Sequence, residues 1–247
     1  MPKLKKGEKY SNPRISFDGK YWYLSVGYEI EGIVYHLTDE SLGIDLGIKN
    51  LAVCSNRRVY KNINKTSKVR KLKKRLQREQ RKLSRMVRSK IKKYDVNHKP
   101  IYEEPLYECK NVQKQKCKIR FIYRKLTNIR KNYIHQTTTE IVKTKPFQIV
   151  MEDLNIKGMM KNKHLSRAIS EQGFYEFIRQ IKYKSQKYGI KFIQVDRFYP
   201  SSKTCSCCGN IKQGLKLSDR AYKCEYCGLE IDRDYNASVN LAKYKVV

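Results

Sequence analysis

The chain has 247 residues, and its 55 Lys and Arg against 23 Asp and Glu give a formal net charge of +32. So basic a chain repels its own copies and seeks a polyanion, yet 40% hydrophobic residues, 19 Tyr and 7 Phe exclude a disordered basic tail. The length admits one large domain, or a main domain with a small appendage, because cores divide only beyond roughly 250 to 300 residues.

At the N-terminal end, MPKLKKGEKYSNPR lacks the apolar stretch of a signal peptide, and no run in the chain approaches the ~18 apolar residues of a membrane span. The expectation is a chain without membrane contact, in the cytoplasm and associated with the nucleoid. Residues 21–30, YWYLSVGYEI, alternate large apolar with small or polar side chains, and Ile33 to Leu37 follows a Glu-Gly turn, so a β-hairpin is predicted there. SLGIDLGI, LAVCSN and Val59-Tyr60 then read as two or three adjacent strands, opening the core sheet at Leu42.

Fourteen of the twenty-six residues from Lys68 to Lys93 are Lys or Arg, while Val69, Leu72, Leu76, Leu83 and Met86 recur at helical spacing. This predicts a long amphipathic helix with a narrow apolar seam. Residues 94–115 carry two prolines and no periodicity and are expected to form a loop, with a return helix over about 116–142. FQIVMEDL after Lys145-Pro146 reads as a buried strand, 155–169 as a polar loop, and Ser170-Glu171 as the cap of a helix that buries Phe174, Phe177, Ile178 and Ile181 and ends near Gly189. IKFIQVD is a further strand, and Asn236 to Tyr244 has the spacing of a final helix. This element order suits an α/β domain of the RNase H-like class.

Acids are scarce, so those at the ends of apolar strands carry weight. Asp45 lies inside LGIDLGI, Glu152 closes FQIVME, and Asp232 and Asp234 lie in IDRDYNAS. A carboxylate in a sheet is expensive to bury without a compensating cation. Three such oxygen donors brought together could hold two Mg²⁺ ions about 3.5–4 Å apart and clamp both oxygens of a phosphodiester displacement. Asp232 and Asp234 compete for the third position, and closeness to a helix start near Asn236 favours Asp234. Asp153 is expected to point away from Glu152. Taken singly, these acids could equally accept a turn hydrogen bond, pair with a lysine or cap a helix.

Five of the eight cysteines fall within 205–227. Cys205-x-x-Cys208 and Cys224-x-x-Cys227, separated by fifteen residues and each followed by Gly, match the spacing of a four-cysteine structural Zn²⁺ site. Cys207 is an intruder that could exchange with Cys205 or Cys208. Cys54, Cys109 and Cys117 are expected to be ordinary thiols. The basic helix would offer a rail about 40 Å long, at ~1.5 Å per residue, to a phosphate backbone. Lys71, Lys74, Arg75, Arg78, Arg81, Lys82 and Arg85 are the candidate contacts, and Tyr94, Tyr102, Tyr107 and Tyr123 could stack on unpaired bases.

GIDLGIKNLAVCSN, IVMEDLNIKGM and SSKTCSCCG…DRAYKCEYCG…DRDYNASVNLA closely resemble the RuvC nuclease domain and zinc finger of transposon-encoded TnpB (OrfB-type) proteins, relatives of type V CRISPR effectors. The resemblance covers about residues 20–245. It implies an RNase H-like fold and Mg²⁺-dependent, RNA-guided cleavage of DNA. Catalytic, Mg²⁺-holding acids would fall on Asp45, Glu152 and Asp234, and zinc ligands on Cys205, Cys208, Cys224 and Cys227. DNA and a guide RNA would be the partners. The implied organisation is a residual wedge-type β segment over 1–40, a RuvC-like domain over 41–203 and 229–247 with a helical hairpin inserted at about 66–143, and a zinc finger over 204–228. Only 44 residues precede Asp45, where the family carries a long N-terminal half, so an N-terminally shortened copy is expected. A non-cleaving nucleic-acid-binding remnant and a conventional transposase acting on transposon ends are the alternatives.

Overall fold

A computed structural model describes residues 9–29, 34–216 and 219–244. In chain order the elements are β1 (Ser11–Phe17), β2 (Trp22–Gly27), β3 (Thr38–Leu46), β4 (Asn50–Cys54), β5 (Val59–Lys61), α1 (Ser67–Arg88), β6 (Ile91–Tyr94), β7 (Pro100–Tyr102), α2 (Lys110–Val142), β8 (Pro146–Glu152), α3 (Ile156–Met160), α4 (Ser166–Gln172), α5 (Phe174–Tyr188), β9 (Lys191–Val195), β10 (Ala221–Lys223), β11 (Glu230–Asp232) and α6 (Arg233–Ala242). The chain divides into two compact units, 1–31 with 65–129 and 32–64 with 130–247, the division falling within α2. Among the described residues no helix is long and apolar enough to cross a membrane.

The first unit contains α1, the N-terminal part of α2 and two small hairpins. The predicted hairpin is displaced: β2 pairs antiparallel with β1 on its N-terminal side, while residues 30–33 lie outside the described residues and 34–37 are irregular. The turn is built by Asp18, whose Oδ1 accepts the Lys20 and Tyr21 N–H groups, and by Gly19 at φ +95°. Asp18 Oδ2 also takes Arg124 Nε of α2 at 2.5 Å. Helix α1 buries Val69 and Leu76 and half-buries Leu72, Leu83 and Met86, as its seam predicts. Gln115 Nε2 of α2 donates to the carbonyl and to Oε2 of Glu79, the sole acid of α1. Helix α1 stops at Arg88, short of the expected Lys93, and β6 (Ile91–Tyr94) pairs with β7 in the expected loop, the turn closed by Asp95 Oδ1 accepting the N–H groups of Asn97 and Lys99; α2 starts at Lys110.

The second unit is a mixed α/β fold on a five-stranded sheet ordered β5-β4-β3-β8-β9. β3, β8 and β9 are parallel, and β4 and β5 turn back antiparallel to the edge. The period of two along each strand assigns the faces. Leu42, Ile44, Ile149 and Met151 join Phe174, Phe177 and Ile181 of α5 and Ile134, Ile141 and Val142 of α2 in the main core. On the opposite parity, Val150 packs with Val195 and Leu241 of α6. Fully burying a side chain such as Phe177 contributes about 1.5–3 kcal/mol.

Two helix starts differ from expectation. Ser170 lies inside α4, and α5 begins after Gly173, whose left-handed φ of +69° breaks the helix path between them. Helix α6 begins at Arg233 rather than near Asn236, because Asp232 caps it: Asp232 Oδ1 accepts the N–H groups of Asp234 and Tyr235, both at 3.0 Å. Gly189 ends α5 as predicted.

Candidate active site and metal centre

Asp45 shares the parity of Gly43 on β3, and Glu152 shares that of Val150 on β8, so both project from the sheet face that α6 covers. The strand register pairs Gly43 with Val150 and Ile44 with Met151, and continuing it one step sets Asp45 beside Glu152. Asp234 enters from the first turn of α6. The three carboxylates line one cavity of about 500 Å³, together with Lys49, Arg220, Arg233 and Ser201. Asp232, occupied as the helix cap and exposed, does not line it. Of the two candidates for the third position, only Asp234 lines the cavity. Asp153 faces away and pairs with Arg197 at 3.3 Å.

Three carboxylates and three cationic side chains, Lys49, Arg220 and Arg233, line the cavity. Asp45 sits at its floor, and burial first, then the negative charges of Asp234 and Glu152, push its pKa well above the ordinary aspartate range. Burial also raises Glu152, partly offset by the Ser201 hydroxyl, which donates to Oε1 at 2.7 Å, and by the Arg233 charge. Arg233 Nε stands 4.0 Å from Asp234 Oδ1 while Nη1 donates to the carbonyls of Lys216 and Asp219. Three carboxylates converging on one cavity are hard oxygen donors of the kind that suits divalent cations. The carboxylates are spaced more openly than a single-ion cage: among the described residues, only the four cysteines offer ligand atoms all within 4.8 Å of one another. Sequence reasoning missed the buried Gln172, whose Nε2 donates to the Gly47 carbonyl at 2.9 Å and so fixes the β3–β4 turn at the cavity edge. A lone Gln in a helix carries no local signal of that contact.

The knuckle gathers Cys205, Cys208, Cys224 and Cys227 and leaves Cys207 exposed outside the group. The Cys205–Cys227 and Cys208–Cys224 sulfur separations are both 3.6 Å. A tetrahedral ion with ~2.3 Å bonds to sulfur needs sulfurs about 3.8 Å apart, so the donor set and its dimensions fit zinc. Backbone N–H groups of Cys227 and Tyr226 aimed at Cys224 hold its thiol pKa down, towards the thiolate that binds metal. Tyr222, fully buried against Cys205 and Cys224, fills the centre and donates its hydroxyl to the Lys203 carbonyl at 3.1 Å.

In the first unit the seven candidate contacts of α1 are all exposed. Five of them, Lys71, Lys74, Arg75, Arg78 and Arg81, line a groove of about 720 Å³ with Lys125 of α2. Arg78, Arg81 and Arg85 line its continuation along the helix.

The OrfB_IS605 family model, described as "Probable transposase", matches residues 26–163, more than half of the chain, and a Cas12f1-like TNB domain model matches 174–241. The chain belongs to the OrfB (TnpB) family. It is 30% identical over 236 residues to the "Putative RNA-guided DNA endonuclease InsQ" of Escherichia coli K12, covering 89% of this chain and 53% of that protein. To the "Putative RNA-guided DNA endonuclease" of Streptomyces pristinaespiralis it is 29% identical, covering 89% and 49%. The OrfB chain thus spans about half the length of these curated relatives. Its fold is similar to that of a CRISPR-Cas12f ternary complex, with a TM-score of 0.60 at 23% identity over 92% of this chain and 43% of the other. A Cas12f1-sgRNA-target DNA complex is also similar in fold, with a TM-score of 0.55 at 20% identity over 94% and 56%.

Proposed function

We propose that this OrfB-family chain is a metal-dependent DNA endonuclease of a transposable element, guided by RNA, whose second unit is an RNase H-like (RuvC) nuclease domain. One observation carries the reading: Asp45, Glu152 and Asp234, from three separate elements, line a single cavity in which, among the described residues, neither Asp45 nor Glu152 is held by an ion pair. These three carboxylates would hold two Mg²⁺ ions. Bound there, the ions supply Lewis-acid activation of the attacking water and neutralise charge on the departing oxygen.

The chain's own residues do the rest. Lys49 and Arg220 at the cavity wall offer cations to the phosphate group, and Ser201 holds one Glu152 oxygen so that the other faces the cavity. The apolar wall of Leu154, Met159 and Phe174 limits water around the reacting group. The groove cations of α1, with Lys82 and Arg85, would bind the nucleic-acid backbone. Zinc in the knuckle, with all four positions filled by thiolates, would be structural. DNA and guide RNA as partners are supported by the names of the curated relatives, and a chain that handles DNA in this way would work at the nucleoid in the cytoplasm.

The test is purification with co-expressed RNA, followed by incubation with single- and double-stranded DNA in Mg²⁺ or Mn²⁺. Cleavage that vanishes in Asp45→Ala while nucleic-acid binding persists is the expected result. Binding without cleavage in the parent chain would return the reading to a nucleic-acid-binding remnant.

A further inference from the structure

The cysteine knuckle and the acid cavity are joined by a short strap, residues 201–206. At one end the buried Ser201 hydroxyl donates to Glu152 Oε1 at 2.7 Å. At the other end lies Cys205, the first knuckle ligand. Helix α6, which carries Asp234, grips this strap with two asparagines one turn apart. Asn236 Nδ2 donates to the Thr204 carbonyl at 2.7 Å and Asn236 Oδ1 accepts the Ser206 N–H at 3.0 Å, so one side chain brackets Cys205. Asn240 Nδ2 donates to the carbonyls of Ser201 at 2.7 Å and Thr204 at 2.6 Å. Lys243 Nζ adds a bond to the Ser206 carbonyl.

Asn236 is fully buried and Asn240 is 4% exposed. A buried amide with both ends satisfied fixes geometry more than it adds stability, because its partners are lost at full desolvation penalty if the fit shifts. The geometry fixed here is the offset between α6 and the strap. One side of that offset carries Asp234, and the other side holds Glu152 through Ser201. The strap's own position depends on Cys205, which a zinc ion in the knuckle would tie to Cys208, Cys224 and Cys227.

We propose that Ser201, Asn236 and Asn240 are positioning residues through which an occupied cysteine knuckle sets the spacing of Glu152 and Asp234, making cation binding at the acids dependent on the knuckle. The inference rests on the reading of the acids as a divalent-cation site.

The experiment titrates Mn²⁺ alone into the full chain by calorimetry, with the paramagnetic signal of bound Mn²⁺, zinc content and circular dichroism recorded on each sample. Ser201→Ala, Asn236→Ala and Asn240→Ala are expected to weaken Mn²⁺ binding about ten-fold or more, as loss of hydrogen bonds behind metal ligands does, with zinc retained. Ser201→Thr should restore it. Stripping zinc with a thiol-competing chelator should weaken Mn²⁺ binding to a similar degree, and adding Zn²⁺ back should reverse the loss. Should either asparagine variant fail to fold, Ser201→Ala and the stripped chain decide: the first removes a single hydroxyl, and the second loosens the knuckle alone, with circular dichroism checking that the remaining fold is intact. Mn²⁺ affinity within about two-fold of the parent in both, or a lowered melting temperature with unchanged affinity, overturns the proposal. Equal Mn²⁺ binding by the parent and Asp45→Ala overturns it differently, by removing the acid site itself.

Discussion

Gly43 is the point where the sheet and the acid-bearing helix are closest, and a methyl group there should damage both stability and site. A Cβ built on Gly43 lies 1.9 Å from the Ser238 carbonyl oxygen, 2.4 Å from the Ala242 nitrogen and 3.0 Å from Leu241 Cβ. The two shortest approaches are to main-chain atoms of α6, so no rotamer change relieves them. Ordinary contact begins near 3.4 Å, and α6 must therefore retreat from β3 by roughly 1.5 Å. Overpacking of this kind costs about 1–3 kcal/mol, and two backbone collisions place Gly43→Ala at the upper end. At about 2–4 °C per kcal/mol for a chain of this length, melting should fall by roughly 6–12 °C. Gly189→Ala is the control: its Cβ meets nothing within 4 Å, and only the left-handed φ of +74° opposes it, so about 1 kcal/mol is expected. Because Asp234 rides on α6, and metal–ligand distances tolerate only about ±0.2 Å, Gly43→Ala should also lose Mn²⁺ binding while Gly189→Ala keeps it. Thermal melts followed by circular dichroism, paired with Mn²⁺ titration, check both parts. A Gly43→Ala chain that melts no lower than Gly189→Ala, or binds Mn²⁺ as the parent does, would refute the argument that this contact sets the site.

Elemental analysis should find one zinc per chain, falling to near zero in Cys224→Ser. Apparent zinc affinities of about 10–16 kcal/mol in four-ligand fingers mean that chelation should unfold the knuckle, seen as loss of its backbone-amide protection. Replacing Arg75, Arg78 and Arg81 together by Gln should weaken duplex binding uniformly across sequences and reduce the log–log salt slope by roughly 2.7, at ~0.9 per phosphate; an unchanged slope would move the nucleic acid off the α1 groove. Asp45→Asn should stabilise the divalent-free chain near neutral pH. The raised pKa of Asp45 makes the folded state bind more protons than the unfolded one above the ordinary aspartate value, so parent stability declines as pH rises through that window, and melts of Asp45→Asn should lack this decline.

That Asp45 and Glu152 close apolar strands was legible in the sequence, because an acid in an apolar run stands out locally. Parity sets Gly43 with Asp45 on one side of β3 and Val150 with Glu152 on one side of β8, and the β3–β8 pairing makes those the same face. The knuckle was legible for the same reason, since Cys-x-x-Cys spacing constrains ligand geometry within a few residues. What failed to show depends on distant partners or on competing local signals. The Ser170-Glu171 pair looks like a cap, yet Gly173 breaks the path two residues later and leaves Ser170 inside α4. The sequence favours Asp234 over Asp232 only by its closeness to the expected helix and by resemblance; the cap made by Asp232 and the cavity lining separate the two. β1 contains Pro13 and β6 contains paired lysines, so neither reads as a strand until its hairpin partner is in place. Gln172, Asn236 and Asn240 hold loops far away in sequence, which no periodicity could reveal.

The distribution of ion pairs argues most directly for an external cation at the acids. Elsewhere the chain neutralises carboxylates readily: Asp18 meets Arg124, Glu104 meets Lys90, Asp153 meets Arg197, and Glu176 meets Arg179 at 2.8 Å with its pKa drawn down to about 2. With 55 cationic side chains, a partner for Asp45 or Glu152 would be easy to supply. Among the described residues neither makes an ion pair. Arg233 lowers the pKa of both carboxylates only by its charge, with Nη1 on two backbone carbonyls and Nε near Asp234. A buried carboxylate left uncompensated is destabilising in the isolated chain. A site whose charge is completed by an ion accounts for this arrangement, so Asp45→Asn and Asp153→Asn should separate: the first should raise the melting temperature of the divalent-free chain, and the second should leave it nearly unchanged, because an exposed pair such as Asp153–Arg197 contributes little.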